Sequence, residues 1–201
     1  MTGRCRFAVL AESIRAAAPP SPMPLRLVAV DGPGGAGKST FAARLAAALD
    51  DAPVVHTDDL ASHRHQTTWW PLLEAWVLGP LAAGRPARFQ RYDWEQRRRT
   101  DWCDIPVAPV VLIEGVTAAR AAIRARLTRS VWVQTDRERR LRRGLQRDGA
   151  ELAGFWAEWM VEEDAFYAAD PVYGAVDLVV DGDPRREHDP DEEFVVIRCG
   201  R

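Results

Sequence analysis

The chain has 201 residues and a mass of 22.4 kDa, with 47% hydrophobic and 28% charged residues. This length accommodates one domain with a sizeable core, and the composition excludes a largely disordered chain. Because 27 basic side chains stand against 29 acidic ones, we expect no overall positive field that would attract nucleic acid.

Cysteine usage and hydropathy indicate the compartment. Cys5, Cys103 and Cys199 are widely scattered and lack the spacing of a metal site or a disulfide framework. The apolar runs fall short of the roughly 18 residues that a membrane span needs, and we expect neither a signal peptide nor an anchor at the N-terminus. The sequence therefore predicts a cytoplasmic protein without nucleic-acid or membrane partners.

The predicted elements start with a helical extension over residues 1–24, in which a helix at 7–17 ends at a cluster of prolines. Residues 25–201 are predicted to form a single domain. Its strands are apolar runs with β-branched residues, and its helices show apolar residues at helical spacing. In chain order they are strand 25–30, helix 39–49, strand 54–56, helix 69–83, strand 110–113, helix 117–127, strand 131–134, helices 136–148 and 155–169, strand 176–180 and an edge strand over 194–199. Such alternation predicts an α/β fold with a parallel sheet that helices cover on both faces.

A phosphate-binding pattern follows the first predicted strand of this domain. Residues 32–39 match G-x-x-x-x-G-K-[ST] between a strand and a helix. Glycines let consecutive backbone N–H groups point into one concavity, and the helix adds the positive end of its dipole. Lys38 is the only lysine of the chain, and its compact ammonium suits the β- and γ-phosphates, while the Ser39 hydroxyl can bind Mg²⁺. We predict that a nucleoside triphosphate binds to Gly32, Gly34, Gly35, Ala36, Gly37, Lys38, Ser39 and Thr40.

The chain contains no asparagine. This excludes the Asn-Lys-x-Asp guanine reader of typical GTPases and the catalytic-loop asparagine of protein kinases. ATPases and small-molecule kinases remain, and ATP is the predicted nucleotide. A small-molecule kinase needs a carboxylate near the γ-phosphate, an acidic metal ligand and cations around the migrating phosphoryl group.

Acidic side chains follow two of the predicted strands. Asp58 comes just after strand 54–56, and Glu114 comes directly after strand 110–113. Ligands collect at the C-terminal ends of parallel strands, where the phosphate loop also lies. Asp58 can accept the proton of an attacking hydroxyl or bind Mg²⁺ there, and Glu114 can bind Mg²⁺ directly or through water. A helix N-cap or a solvated loop acid is the alternative at both positions.

The order of the motifs resembles that of uridine kinase-like P-loop kinases, a group related to phosphoribulokinase and pantothenate kinase. The resemblance runs from about residue 25 to residue 183. It is carried by residues 32–40, Thr57-Asp58-Asp59-Leu60, Tyr92-Asp93-Trp94, Glu114-Gly115, Arg143 with Arg147-Asp148, and residues 177–181. The resemblance implies a P-loop NTPase fold of the nucleoside-monophosphate-kinase type, with a five-stranded parallel sheet flanked by helices and a mobile arginine lid at about 137–156.

The resemblance also implies catalytic roles. Asp58 matches the acid that activates the acceptor hydroxyl. Ser39 and Glu114 match magnesium ligands, with Asp58 as a further candidate. Arg143 and Arg147 match the lid arginines that close on the phosphates.

For the acceptor, the resemblance implies that Tyr92 and Trp94 line a nucleoside pocket. Uridine–cytidine kinases carry a histidine after the Tyr-Asp-aromatic motif, whereas this chain has Arg97. An arginine at that position suits an anionic acceptor such as a nucleotide or a sugar acid.

Together these features predict an ATP- and Mg²⁺-dependent kinase that moves the γ-phosphoryl group onto a hydroxyl of a small molecule, with a nucleoside as the favoured acceptor. Asp58, Lys38, Arg143 and Arg147 are its predicted catalytic residues. A kinase for another hydroxylated metabolite, antibiotic or nucleotide is one alternative. A regulatory P-loop ATPase, which hydrolyses ATP without an acceptor, is the other. The sequence leaves open whether the chain forms a homo-oligomer.

Overall fold

The computed structural model describes residues 3–200, so the outermost positions of the predicted ranges 1–24 and 25–201 lie outside the described residues. Nine strands form in that range. They are β1 (Gly3–Arg6), β2 (Arg26–Asp31), β3 (Val54–His56), β4 (Ala87–Asp93), β5 (Arg98–Ile105), β6 (Val110–Glu114), β7 (Arg129–Gln134), β8 (Leu178–Asp181) and β9 (Glu193–Cys199).

The helices flank these strands in sequence. They are α1 (Phe7–Ala16), α2 (Lys38–Ala48), α3 (Thr57–Leu60), α4 (Trp70–Leu73), α5 (Gly79–Ala82), α6 (Ala121–Arg124), α7 (Arg137–Asp148), α8 (Ala153–Ala169) and α9 (Val172–Ala175). A π-helical turn, Glu74–Leu78, joins α4 to α5, so that the predicted helix at 69–83 is present in three continuous pieces. No helix within residues 3–200 combines the length and the apolar character that a membrane span requires.

The central sheet has seven strands in the order β1-β9-β8-β7-β2-β6-β3, whereas the sequence predicted five. The strands β3, β6, β2, β7 and β8 are parallel neighbours and form the predicted parallel part. β9 and β1 continue the sheet beyond β8 in antiparallel orientation. The sequence predicted β9 as an edge strand over 194–199, but it did not predict β1, whose polar sequence GRCR carries no apolar pattern typical of a strand.

Both faces of the sheet are covered. Along β2, Leu27 and Ala29 belong to one buried apolar cluster, and Val28 and Val30 belong to the other. Successive side chains of a strand point to opposite faces, so this division shows that helices pack on each side. The result is an α/β fold with a mostly parallel central sheet, and it places the C-terminal ends of β2, β3 and β6 side by side.

The N-terminal segment packs against the same core. α1 buries the side chain of Phe7, whose ring centroid lies 5.1 Å from that of Phe41 in α2 and 5.0 Å from that of Phe194 in β9. Aromatic pairs at such distances add to the burial of apolar surface. Residues 3–16 are therefore part of the packed structure, and the division of the chain at residue 24 stays a prediction.

The predicted helix at 117–127 is wrong over most of its length, because only α6 is helical there. Asp31 accepts hydrogen bonds from the N–H groups of Thr117 and Ala119, at 3.0 and 2.7 Å. Thr117 also has a left-handed φ of 64°. These bonds hold the segment after Glu114 as a turn beside the end of β2, and the left-handed φ of Thr117 excludes a helix that starts there.

Gly115 is a position that only glycine fits. Its φ is 142°, and a β-carbon there would collide with Oγ1 of Thr57. We expect Gly115→Ala to lower the free energy of unfolding by about 3 kcal/mol, through backbone strain and overpacking. Urea unfolding measures this change.

Gly154→Ala is the matched control for this substitution. Gly154 lies in α8, where a β-carbon would meet nothing within 4 Å. Alanine is the better helix former, so this variant should be at least as stable as the wild type. A Gly115→Ala protein as stable as the Gly154→Ala protein would contradict the assigned contact.

Candidate active site

The phosphate loop, defined as residues 32–39, lies between β2 and the start of α2. Gly32, Gly35 and Gly37 have φ values of 140°, 74° and 101°, which L side chains rarely adopt. Lys38 is buried, and its Nζ donates a hydrogen bond to the carbonyl oxygen of Pro33 at 3.0 Å. The ammonium therefore lies across the mouth of the loop, as the sequence pattern predicts.

Glu114 lies beside the start of α2, at the end of β6. Ser39 Oγ donates to Glu114 Oε1 at 3.2 Å, and His56 Nδ1 lies 2.6 Å from Glu114 Oε2. Burial by itself would raise the pKa of Glu114, but the hydrogen bond with His56 and the charge of Lys38 outweigh it and lower that pKa. Glu114 is therefore an ionised carboxylate next to the Ser39 hydroxyl.

Asp58 lies in α3, directly after β3, and is accessible to solvent. Desolvation by the surrounding protein raises its pKa, and the negative charge of Glu114 raises it further. The positive charges of Lys38 and Arg147 act in the opposite direction. Asp58 thus lies within electrostatic reach of Glu114, Lys38 and Arg147, and the catalytic roles assigned to these residues stay predictions.

The donor groups at this site fit a magnesium ion. Within residues 3–200 there is no cluster of three or more His, Cys, Asp or Glu side chains that would enclose a metal. Mg²⁺ does not need such a cage, because it is usually held by one or two carboxylates together with water and substrate phosphates. The Ser39 hydroxyl and the carboxylates of Glu114 and Asp58 are hard oxygen ligands of this kind.

Aromatic side chains form the wall next to Asp58. Trp94 Nε1 donates to the carbonyl oxygen of Asp58 at 3.2 Å, and the Tyr92 hydroxyl lies 3.1 Å from His63 Nδ1. The ring centroids of Trp94 and Tyr92 are 5.3 Å apart, and those of Trp94 and His63 are 4.9 Å apart. Phe155 also contacts this group, with its centroid 6.4 Å from that of Trp94. Tyr92 and Trp94 thus lie in one aromatic group next to Asp58, and their role in a nucleoside pocket stays a prediction. His63 and Phe155 were not predicted as part of the site.

The hairpin of β4 and β5 is tied to α3 by Arg99. Its guanidinium donates to the carbonyl oxygens of Asp59 at 3.2 Å, of Leu60 at 2.8 Å and of Gln90 at 2.8 Å. These contacts satisfy carbonyl groups at the end of a short helix. They also fix the distance between the hairpin, which carries the aromatic wall, and the helix that carries Asp58.

Arg97 lies in the turn between β4 and β5 with a left-handed φ of 53°, and its side chain is exposed. Desolvation lowers the pKa of His63, and the charge of Arg97 lowers it further. Arg97 is therefore close enough to the aromatic wall for its charge to act on His63. This places the guanidinium beside the predicted acceptor pocket.

The arginines of α7 point to two different places. Arg143 donates to the carbonyl oxygen of Gly182 at 3.0 Å and to Asp183 Oδ1 at 2.6 Å. A cleft of about 400 Å³ lies beside it, lined among others by Gly37 and Thr40. Arg147 pairs with the neighbouring Asp148, and its charge reaches Asp58 and Glu114. The structure brings Arg147 to the carboxylates and Arg143 to the start of α2.

Two solved structures share this architecture. A possible uridine kinase from Bacillus stearothermophilus is 18% identical and superposes with a TM-score of 0.63, over 86% of this chain and 96% of that chain. A Silicibacter sp. TM1040 protein, provisionally named a fructose transport system kinase, is 18% identical with a TM-score of 0.60, over 74% and 86% of the two chains. The chain has the fold of these kinase structures. No protein-family model and no curated protein sequence matches it.

In this kinase-like fold, Asp31 is a residue that the sequence did not single out. It is buried at the end of β2 and accepts hydrogen bonds from the Gly32 N–H at 2.6 Å and the Tyr167 hydroxyl at 2.7 Å, besides the two N–H groups after Glu114. Burial raises the pKa of Asp31 to about 6. Asp31 joins the start of the phosphate loop to the segment that follows Glu114. The one feature of the sequence that could have pointed to this residue is its position directly before Gly32.

Proposed function

We propose that the protein is a phosphotransferase that moves the γ-phosphoryl group of ATP onto a hydroxyl of a small molecule. The observation that carries this proposal is the meeting of a complete phosphate loop with two carboxylates, Asp58 and Glu114, within electrostatic reach of Lys38. The likeness in fold to the two kinase structures supports it.

The nucleotide occupies the loop and the cleft beside it. Backbone N–H groups between Gly35 and Ser39 bind the phosphates, and Lys38 neutralises charge that moves to the transferred group. The cleft of about 400 Å³ next to Thr40 and Arg143 takes the base and the ribose. In this arrangement Arg143 lies over the nucleoside part of ATP.

Ser39 and Glu114 hold the magnesium ion, and Asp58 is a further ligand candidate. When bound, Mg²⁺ neutralises phosphate charge and orients the triphosphate. Glu114 suits this role because its pKa is lowered and it stays ionised.

The acceptor lies between Asp58 and the aromatic wall. Asp58 accepts the proton of the attacking hydroxyl and orients its oxygen. Tyr92 and Trp94 offer flat apolar faces to a ring, which favours a nucleoside. Arg147 closes over the site as part of an arginine lid at 137–156 and excludes water. The predicted cytoplasmic location is part of this proposal.

A second acceptor class is favoured by Arg97. Its guanidinium is exposed, and its positive charge acts on His63 of the aromatic wall by lowering the pKa of that side chain. Guanidinium groups bind carboxylate and phosphate in bidentate geometry. The alternative acceptor is therefore an anionic hydroxylated metabolite, such as a nucleotide or a sugar acid.

The test is acceptor-dependent ADP formation with Mg·ATP. Nucleosides, nucleoside monophosphates and sugar acids are compared in a coupled assay, with a reaction without acceptor as the control. We expect nucleosides to give the fastest ADP formation. A preference for an anionic acceptor that Arg97→Gln removes would favour the second class. Equal ADP formation with and without every acceptor would contradict a phosphotransferase and favour a regulatory ATPase.

A further inference from the structure

An ion pair is buried directly behind the phosphate loop. Arg140 of α7 and Glu163 of α8 are 6% and 1% exposed, and Arg140 Nη1 lies 3.4 Å from Glu163 Oε2. A buried charge is costly unless it is paired and hydrogen-bonded. None of the roles proposed above uses either side chain.

The pair binds Gly34 of the phosphate loop at both of its polar backbone groups. Glu163 Oε1 accepts a hydrogen bond from the Gly34 N–H at 2.6 Å and another from Trp159 Nε1. Arg140 Nη1 donates to the Gly34 carbonyl oxygen at 3.3 Å. Two helices therefore hold one residue of the loop through opposite charges.

The glycines of the loop make these contacts sterically feasible. A β-carbon at Gly34 would lie 2.9 Å from Glu163 Oε1, and one at Gly35 would lie 2.5 Å from the carbonyl oxygen of Arg140. The first contact would displace the Glu163 carboxylate from Gly34, and the second, which is with backbone, would force α7 away from the loop. The backbone of α7 thus rests directly on the phosphate loop, one turn before Arg143.

Burial raises the pKa of Glu163 above its ordinary value, and the charge of Lys38 and the contacts with the Gly34 N–H, Trp159 and Arg140 offset that rise only in part. Charge-assisted hydrogen bonds of this kind are stronger than neutral ones. Replacing a buried ion pair by apolar residues is often neutral or stabilising, so stability alone is a weak explanation for this pair.

We propose that Arg140 and Glu163 are positioning residues that hold the Gly34 segment of the phosphate loop and fix α7, with Arg143 and Arg147, against it. The catalytic part of this inference rests on the proposed function. A loop held before ATP binds keeps its N–H groups aimed at the phosphates, and no reorganisation is needed during transfer.

The first test is amide hydrogen exchange without nucleotide. Glu163→Gln keeps the shape of the side chain and an oxygen that accepts from the Gly34 N–H and Trp159 Nε1. It replaces the carboxylate oxygen that faces Arg140 by an amide NH₂. We expect exchange over residues 32–38 to become about tenfold faster. Exchange over β2 and β6 should stay within about twofold of the wild type. Glu158→Gln, an exposed position of the same helix, is the matched control and should exchange like the wild type.

Arg140→Gln removes the positively charged partner of the same pair. It serves as the test variant if Glu163→Gln does not fold. Unchanged exchange over residues 32–38 in the folded variants would overturn the proposal. An equal increase over β2 and β6 would overturn it too, because it would show general loosening and no specific effect on the loop.

The second test is steady-state kinetics, with each variant well below its melting temperature. We expect the kcat of Glu163→Gln to fall about tenfold or more, with the KM for the acceptor within about twofold of the wild-type value. A kcat equal to that of Glu158→Gln would overturn the positioning role. A wild-type chain without acceptor phosphorylation would instead contradict the proposed function, and the exchange measurement would still decide whether the pair holds the loop.

Discussion

Lys38→Met is expected to lower turnover by about a thousandfold or more. Loss of one preorganised contact to the transferring phosphoryl group costs on the order of 3 kcal/mol, and the contact made by Lys38 also carries a full charge. The buried ammonium already lies across the phosphate loop, bonded to Pro33, and has only a short way to move to a phosphate. Single-turnover ADP formation at saturating acceptor measures the effect. Methionine has a similar length, so the loop should keep its shape.

Lys38→Arg keeps the positive charge at this position but changes the shape of the charged group. The chain uses arginine for every other basic side chain, yet a planar guanidinium does not fit the buried slot that the compact ammonium occupies. We expect this variant to lose most of its activity as well. Turnover of Lys38→Met within about tenfold of the wild type would contradict the assigned role.

Asp58→Asn is expected to lower kcat by about a thousandfold, since general-base catalysis and orientation of the acceptor both depend on this carboxylate. The affinity for ADP should change little, because the loop N–H groups and Lys38 remain. Isothermal calorimetry with ADP and the coupled kinase assay give the two quantities.

Asp59→Asn is the matched control for Asp58→Asn. Asp59 is the next residue of α3, but its carboxylate pairs with Arg91 of the hairpin at 3.0 Å. Its removal should cost no more than about tenfold in kcat. If the two asparagine variants lose the same activity, Asp58 is not the base.

The phosphate loop and the two carboxylates of the site could be predicted from the sequence, because each is recognisable within a short segment of consecutive residues. The phosphate loop is eight consecutive residues between a strand and a helix, Glu114 ends a strand, and Asp58 follows two positions after one. Parallel strands align their C-terminal ends, so these separate signals converge on one place. The sequence thus predicts a shared edge for Asp58, Glu114 and Lys38, whereas their proximity depends on the order β2-β6-β3, which the sequence did not give.

The rest depends on contacts between distant segments. Glu163 lies in a helix with several acidic residues, and nothing in its neighbourhood distinguishes it until α8 packs against Gly34, 129 positions earlier. His63 becomes part of the site only when the hairpin brings Tyr92 to it. The helix predicted at 117–127 failed for the same reason, because bonds to the distant Asp31 hold residues 117–119 in a turn in which Thr117 has a left-handed φ.

The strand β1 stands at the edge of the sheet beside β9, and Arg4 pairs with Glu193 across 189 positions of the chain. A ribosome that adds 5–20 residues per second needs roughly 10 to 40 seconds to cover that distance. During this interval Phe194 has not yet been synthesised, so Phe7 cannot pack against it. Closure of the outer sheet edge is therefore a late event in biogenesis, which must wait until β2, β3 and β6 have long been synthesised.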